Sequence, residues 1–159
     1  MTEADWLKCS DVEEMLHCLW DFLPEMKWED RKPTLLFCAC GELVQHLLPA
    51  EYGELLMAME KWADGLTAQA EIRSIAERAE RTVAHLGQDP QTLMFSLGYG
   101  DLSLFGYIEG RMLSTAAGTD FDQMQDRVKS IHCDFVRDIF GNPFRTPQPS
   151  GAWLQDKAV

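Results

Sequence analysis

The chain has 159 residues, 46% hydrophobic and 25% charged, which is the profile of one folded domain and not of a disordered protein, with disorder expected only at the ends. Its 14 Lys and Arg stand against 26 Asp and Glu, a net charge of −12, and residues 1–60 alone hold 4 basic and 13 acidic side chains. A field of that sign repels phosphate backbones and argues against nucleic-acid binding, whereas a partner with a basic surface fits it.

Residues 1–6 are acidic and lack the basic start and apolar run of a signal peptide, and no stretch approaches the roughly 18 apolar residues of a membrane span. A cytoplasmic location without membrane contact is therefore expected. The first helix is predicted from Ser10 as N-cap, with Glu13 in capping-box position and Val12, Met15, Leu16, Leu19, Trp20 and Leu23 on one stripe. Pro24 stops it, and residues 25–32 read as a charged connection. Pro33 fits the first turn of a second helix, whose stripe of Leu36, Cys40, Leu43, Val44, Leu47 and Leu48 ends before Pro49. Gly41 interrupts that stripe, and a strand over 35–39 is the alternative, with no matching strand nearby.

Tyr52, Leu55, Leu56, Met59, Trp62 and Ala63 mark a third helix closed by Gly65. A fourth begins at Thr67 and carries Ala68, Ile72, Ile75, Ala76, Ala79, Val83 and Leu86 to a stop at Gly87. Arg73–Glu77 and Glu77–Arg81 place opposite charges four apart on its wet face. Asp89-Pro90 opens another helix, but Gly98, Gly100, Gly106 and Gly110 interrupt its continuation, so two short helices or a hairpin over 93–110 both fit. Helices are favoured, because Leu102, Phe105, Glu109 and Met112 divide by face and Gly106 with Gly110 lets a neighbouring backbone approach closely. The last helix takes Thr119 or Asp120 as cap, carries Phe121, Met124, Val128, Ile131, Phe135 and Ile139, and stops at Gly141. The corner Asn142-Pro143-Phe144-Arg145 comes next, then a Pro/Ser/Gly tail with Trp153-Leu154 as an aromatic anchor.

Few motifs carry chemistry. Glu14-x-x-His17 has the spacing of a helical metal motif but occurs once and flanks the apolar stripe, so it reads as a solvated helix edge. Cys38-x-Cys40 with His46, Cys9 or His132-Cys133 suggests zinc, yet on a helix positions i and i+2 point about 200° apart. The five cysteines, Cys9, Cys18, Cys38, Cys40 and Cys133, read instead as small packed hydrophobes in a reducing compartment. No nucleophile elbow or phosphate-cradling glycine loop is present, and Asp120, Asp122 and Asp126 are the acids a helix dipole favours in its first turns.

Trp6, Cys9 and Met15-Leu16, then Arg31-Lys32 with Cys38-Ala39-Cys40, His46-Leu47-Leu48 and Ala63-Asp64-Gly65-Leu66, resemble an uncharacterised family of planctomycete bacterial proteins. The resemblance is strongest over Arg137-Asp138-Ile139-Phe140-Gly141-Asn142-Pro143-Phe144-Arg145, and the family opens with a Met-Thr-Glu-Ala-Glu-Trp-like start. It touches about residues 1–66 and 130–154. The family continues arginine-rich after Cys-Ala-Cys, where this chain has Gly41-Glu42, and extends further at its C-terminus. The resemblance implies a helical fold and contributes nothing to mechanism.

The expectation is an all-α, single-domain bundle of about six to seven helices over residues 1–145, with a tail at 146–159. The favoured role is a non-enzymatic protein-interaction module or scaffold, with no catalytic, cofactor or metal site, that docks a protein partner at its acidic front or at Arg137, Asp138, Asn142, Phe144 and Arg145. The alternative is a metal-dependent helical enzyme or redox protein built on Glu14, His17 and the cysteines.

Overall fold

The computed structural model describes residues 1–27, 30–83 and 102–145. Within them the chain is all helical, with seven α-helices and no strand. They are α1 (Glu3–Lys8), α2 (Val12–Phe22), α3 (Arg31–Glu42), α4 (Ala50–Ala63), α5 (Gln69–Val83), α6 (Leu102–Ala117) and α7 (Phe121–Phe140), with one 3-10 turn at Gln45–Leu47.

α1 has no counterpart among the sequence expectations. Six residues cannot hold a helix in isolation. It persists because Thr2 and Asp5 form a capping box, Trp6 is buried, and the Arg137 guanidinium of α7 donates to the carbonyls of Trp6 and Cys9 at its C-terminal end. A cation on those carbonyls opposes the negative end of the helix dipole.

α2 is capped by Asp11 and not by Ser10, since the Asp11 carboxylate accepts from the backbone N–H groups of Glu13 and Glu14. The helix ends at Phe22, so Leu23 leaves the core stripe and is 42% exposed. α3 covers residues 35–39 as helix, which removes the strand alternative. It does not run on to Leu48. A Cβ at Gly41 would lie 2.8 Å from Leu56 Cδ2 and 3.0 Å from the Tyr52 hydroxyl, so α4 packs directly on this glycine, and the helix gives way to a 3-10 turn soon after it.

α4 closes as expected at Gly65, whose φ is +73. The N–H of Leu66 donates to the Lys61 carbonyl and that of Gly65 to Trp62, a Schellman motif. α5 begins two residues after Thr67, and an ion pair from it crosses to α4, with Arg78 Nη2 2.8 Å from Glu54 Oε2. Its expected end at Leu86-Gly87, the Asp89-Pro90 start and the anchor at Trp153 lie outside the described residues.

α6 is one continuous helix through Gly106 and Gly110, so the favoured helical reading holds over residues 102–117 and those residues form no hairpin, while residues 84–101 lie outside the described residues. Both glycines face α7: a Cβ at Gly106 would lie 3.1 Å from the His132 ring, and Gly110 abuts Gln125, backbone included. The close approach expected of them is present. α7 is capped by Asp120 and ends at Gly141 as expected, but its fully buried line is Val128, His132, Cys133 and Val136, turned from the predicted stripe of which only Val128 is fully buried.

In the packing, α3 lies centrally between α4 and α7, α2 covers α7, α5 covers α4, and α6 pairs with α7. Met15, Leu36, Cys40, Tyr52, Phe105 and Val136 meet in one hydrophobic core.

Candidate functional site

Two features stand out, one open and one sealed. The open one is a groove of about 520 Å³ where α2 ends and α3 begins, lined by Phe22, Leu23, Pro24 and Met26 on one side and Asp30 to Pro33 on the other. Its origin is local. Pro24 has ended α2, so Phe22 and Leu23 are carried past the core stripe and left 47% and 42% exposed. The loop is closed by Lys27 and Asp30, each backbone N–H donating to the other residue, one to a carboxylate and one to a carbonyl.

Most charges on the groove are already engaged. Arg31 pairs with Asp64 at 2.9 Å, and Lys32 Nζ donates to the Phe140 carbonyl while lying over the Phe140 ring. Glu25 is exposed and has no ion-pair partner among the described residues.

The expected partner corner borders this groove. Phe144 is half-buried and stacks edge-on against Phe22 with ring centroids 4.9 Å apart. Asn142 Nδ2 donates to Glu3 Oε1 at 2.8 Å, its Oδ1 accepts from the Phe144 backbone, and Arg145 pairs with the same Glu3 carboxylate. Arg137 caps α1 and also pairs with Asp134, while Asp138 is exposed. Four of the five corner residues thus fasten the end of α7 to α1 and α2. What sequence reasoning missed is the groove beside them, although Phe22-Leu23-Pro24 with Met26 signalled apolar side chains beyond a helix stop.

The sealed feature is a polar pair inside the bundle. Glu109 of α6 and His132 of α7 are 0% and 1% exposed, with Oε2 and Nε2 2.6 Å apart. Among the described residues neither carboxylate oxygen, nor His132 Nε2, nor the nearby core hydroxyl of Tyr52 completes a well-aligned hydrogen bond. Burial raises the Glu109 carboxyl above its ordinary range and the contact with His132 partly offsets this. Tyr52 is raised well above its usual value by burial and then by the Glu109 charge. Sequence reasoning used Glu109 only to orient a helix and His132 only beside Cys133. An i to i+4 line through Val128, His132 and Val136 was the available signal.

Of the residues of the metal reading, Glu14, His17 and Cys18 line one surface pocket with Asp5 and Asp21, and Cys9 Sγ lies 3.9 Å from Glu14 Oε2, whereas Cys38 and Cys40 lie elsewhere. Glu14 and His17 are exposed on α2, where His17 stacks on Trp20. Cys38 points to the Leu56 carbonyl, whereas Cys40 lies in the central core. Among the described residues, no group of three or more His, Cys, Asp or Glu is placed to hold a metal.

These features define an all-α bundle with an apolar groove on its surface and a polar pair sealed in its core. No family model, curated protein or solved structure matches the chain.

Proposed function

We infer that this protein is a non-enzymatic interaction module whose Phe22–Pro33 groove receives an apolar side chain of a protein partner. The carrying observation is that neighbouring apolar residues at this groove remain open to solvent, while the Arg31 and Lys32 charges beside it are engaged internally. Glu25 and the acidic excess of residues 1–60 favour a basic residue flanking that apolar anchor, and they disfavour nucleic acid. A cytoplasmic setting fits the five free thiols. No helix among the described residues is long and apolar enough to cross a membrane.

Selection of random displayed peptides on the immobilised protein tests this reading. The expected result is a set of binders with an aromatic or Leu anchor beside Lys or Arg, whose affinity drops at least tenfold on Leu23→Asp and is unchanged by Met57→Asp, an exposed apolar residue on α4. Binders indifferent to Leu23→Asp would overturn it.

A further inference from the structure

Where α6 meets α7 it offers Gly106 and Gly110, which let the two helices approach closely, and between them Glu109 against His132. No side chain stands at either glycine to interlock the helices, so the 2.6 Å contact is the polar grip at this point of the seam. Beside it, Phe105 of α6 meets Phe37 of α3 edge-on with ring centroids 6.0 Å apart, and Phe105 and Ile108 are buried. The groups that face the Glu109 carboxyl from the other packed elements are Tyr52 of α4 and Cys40 of α3, both kept protonated by burial and by the Glu109 charge.

One labile proton leaves the Glu109 and His132 pair neutral in total, whichever of Oε2 and Nε2 carries it. Its loss puts a net negative charge inside a core that solvent does not reach, where Glu109 Oε1 has no donor among the described residues to spread that charge. The charge is relieved if water reaches Glu109, and α6 is the element placed to give way. A three-residue turn, Gly118 to Asp120, is its link to α7, whereas α7 is fastened independently to α1 by Arg137 and packs on α2 and α3.

We propose that Glu109 and His132 form a proton-operated latch: with the proton in place α6 is held on α7, and its loss as pH rises releases α6 as a unit while α3, α4 and α7 remain folded. The released state parts Phe105 from Phe37 and presents both, with Ile108, as a fresh apolar surface.

Hydrogen exchange read by mass spectrometry on the full chain from about pH 6 to about pH 9, with labelling times scaled for the intrinsic base-catalysed rate, tests the latch. Cys40 and Tyr52 stay protonated over this window and do not supply the response. Protection of the α6 amides is expected to fall with pH, approaching about tenfold per pH unit for one proton, while the α3 and α4 amides keep theirs. In Glu109→Gln, neutral at every pH and of the same shape, α6 protection should not depend on pH. Glu109→Met, apolar and of similar length, is the second neutral variant, used if the first does not fold, with the same flat profile expected. A flat α6 profile in the unaltered chain overturns the proposal, and so does a parallel fall in α3 and α4, which is global unfolding. A pH profile that persists unchanged in the neutral variant also overturns it, by assigning the response to another group.

Discussion

Nε2 of His132 and Oε2 of Glu109 meet at 2.6 Å in the interior, joining α6 to α7 through two side chains that solvent does not reach. Gly106 makes the meeting possible, since any larger residue there would push on the His132 ring. A buried ionisable pair contributes little net stability compared with apolar residues of the same shape, but loss of one partner is costly. Its effect is to fix which faces of α6 and α7 come together.

The Glu109 carboxyl gives the protein a pH dependence of defined sign. The folded Glu109 carboxyl is raised above the ordinary 4.5, so the stability linked to it is complete below about pH 4.5 and is lost as pH rises through the folded-state value. Glu109→Gln removes this loss. Urea denaturation from pH 4.5 to 8 should show wild type losing stability relative to the variant as pH rises. Parallel curves would rule this out. His132→Ala, which strands the carboxyl, should cost about 3–5 kcal/mol.

Gly106→Ala tests the packing beside the pair. The added Cβ would lie 3.1 Å from His132 Cε1 and 3.3 Å from Nδ1, with buried atoms behind the ring, so a loss of about 1–3 kcal/mol is expected by thermal denaturation. A neutral substitution would mean that α6 and α7 separate readily.

The cysteines should react in two classes. Burial raises Cys18 above its ordinary value, pushes Cys38 and Cys133 up to about 12 and Cys40 well above its ordinary value, whereas Cys9 is partly exposed. With a thiol reagent at pH 8, one cysteine, identified by mass as Cys9, should react fast, and the four buried ones only on unfolding. Equal rates for all would contradict the burial.

The α7 corner should be measurably structural. Phe144 is half-buried on Phe22, so Phe144→Ala should cost about 2 kcal/mol, roughly half the loss for a fully buried ring. Arg137→Ala strips the carbonyls of Trp6 and Cys9 of their donor and should cost about 1–3 kcal/mol, with faster hydrogen exchange confined to α1. An unchanged melting temperature in both variants would remove the fastening role.

The sequence alone determined the helical class and the ends of α4 and α7. Those are set by short-range chemistry: apolar spacing of three and four, Asp120 as a cap, and Gly65 and Gly141 at positive φ. It missed α1, because six residues owe their helicity to Trp6 burial and to Arg137, 131 positions away in the chain. It placed α7 with the wrong line innermost, because a histidine reads as polar until a carboxylate from another helix is seen to meet it. The groove was likewise decided in three dimensions. Phe22 and Met26 are apolar in any reading, but only the path of α3 past the end of α2 determines that they border open space and are not covered by core. Local periodicity fixes which residues are helical, and the pairing of distant helices fixes what each face meets.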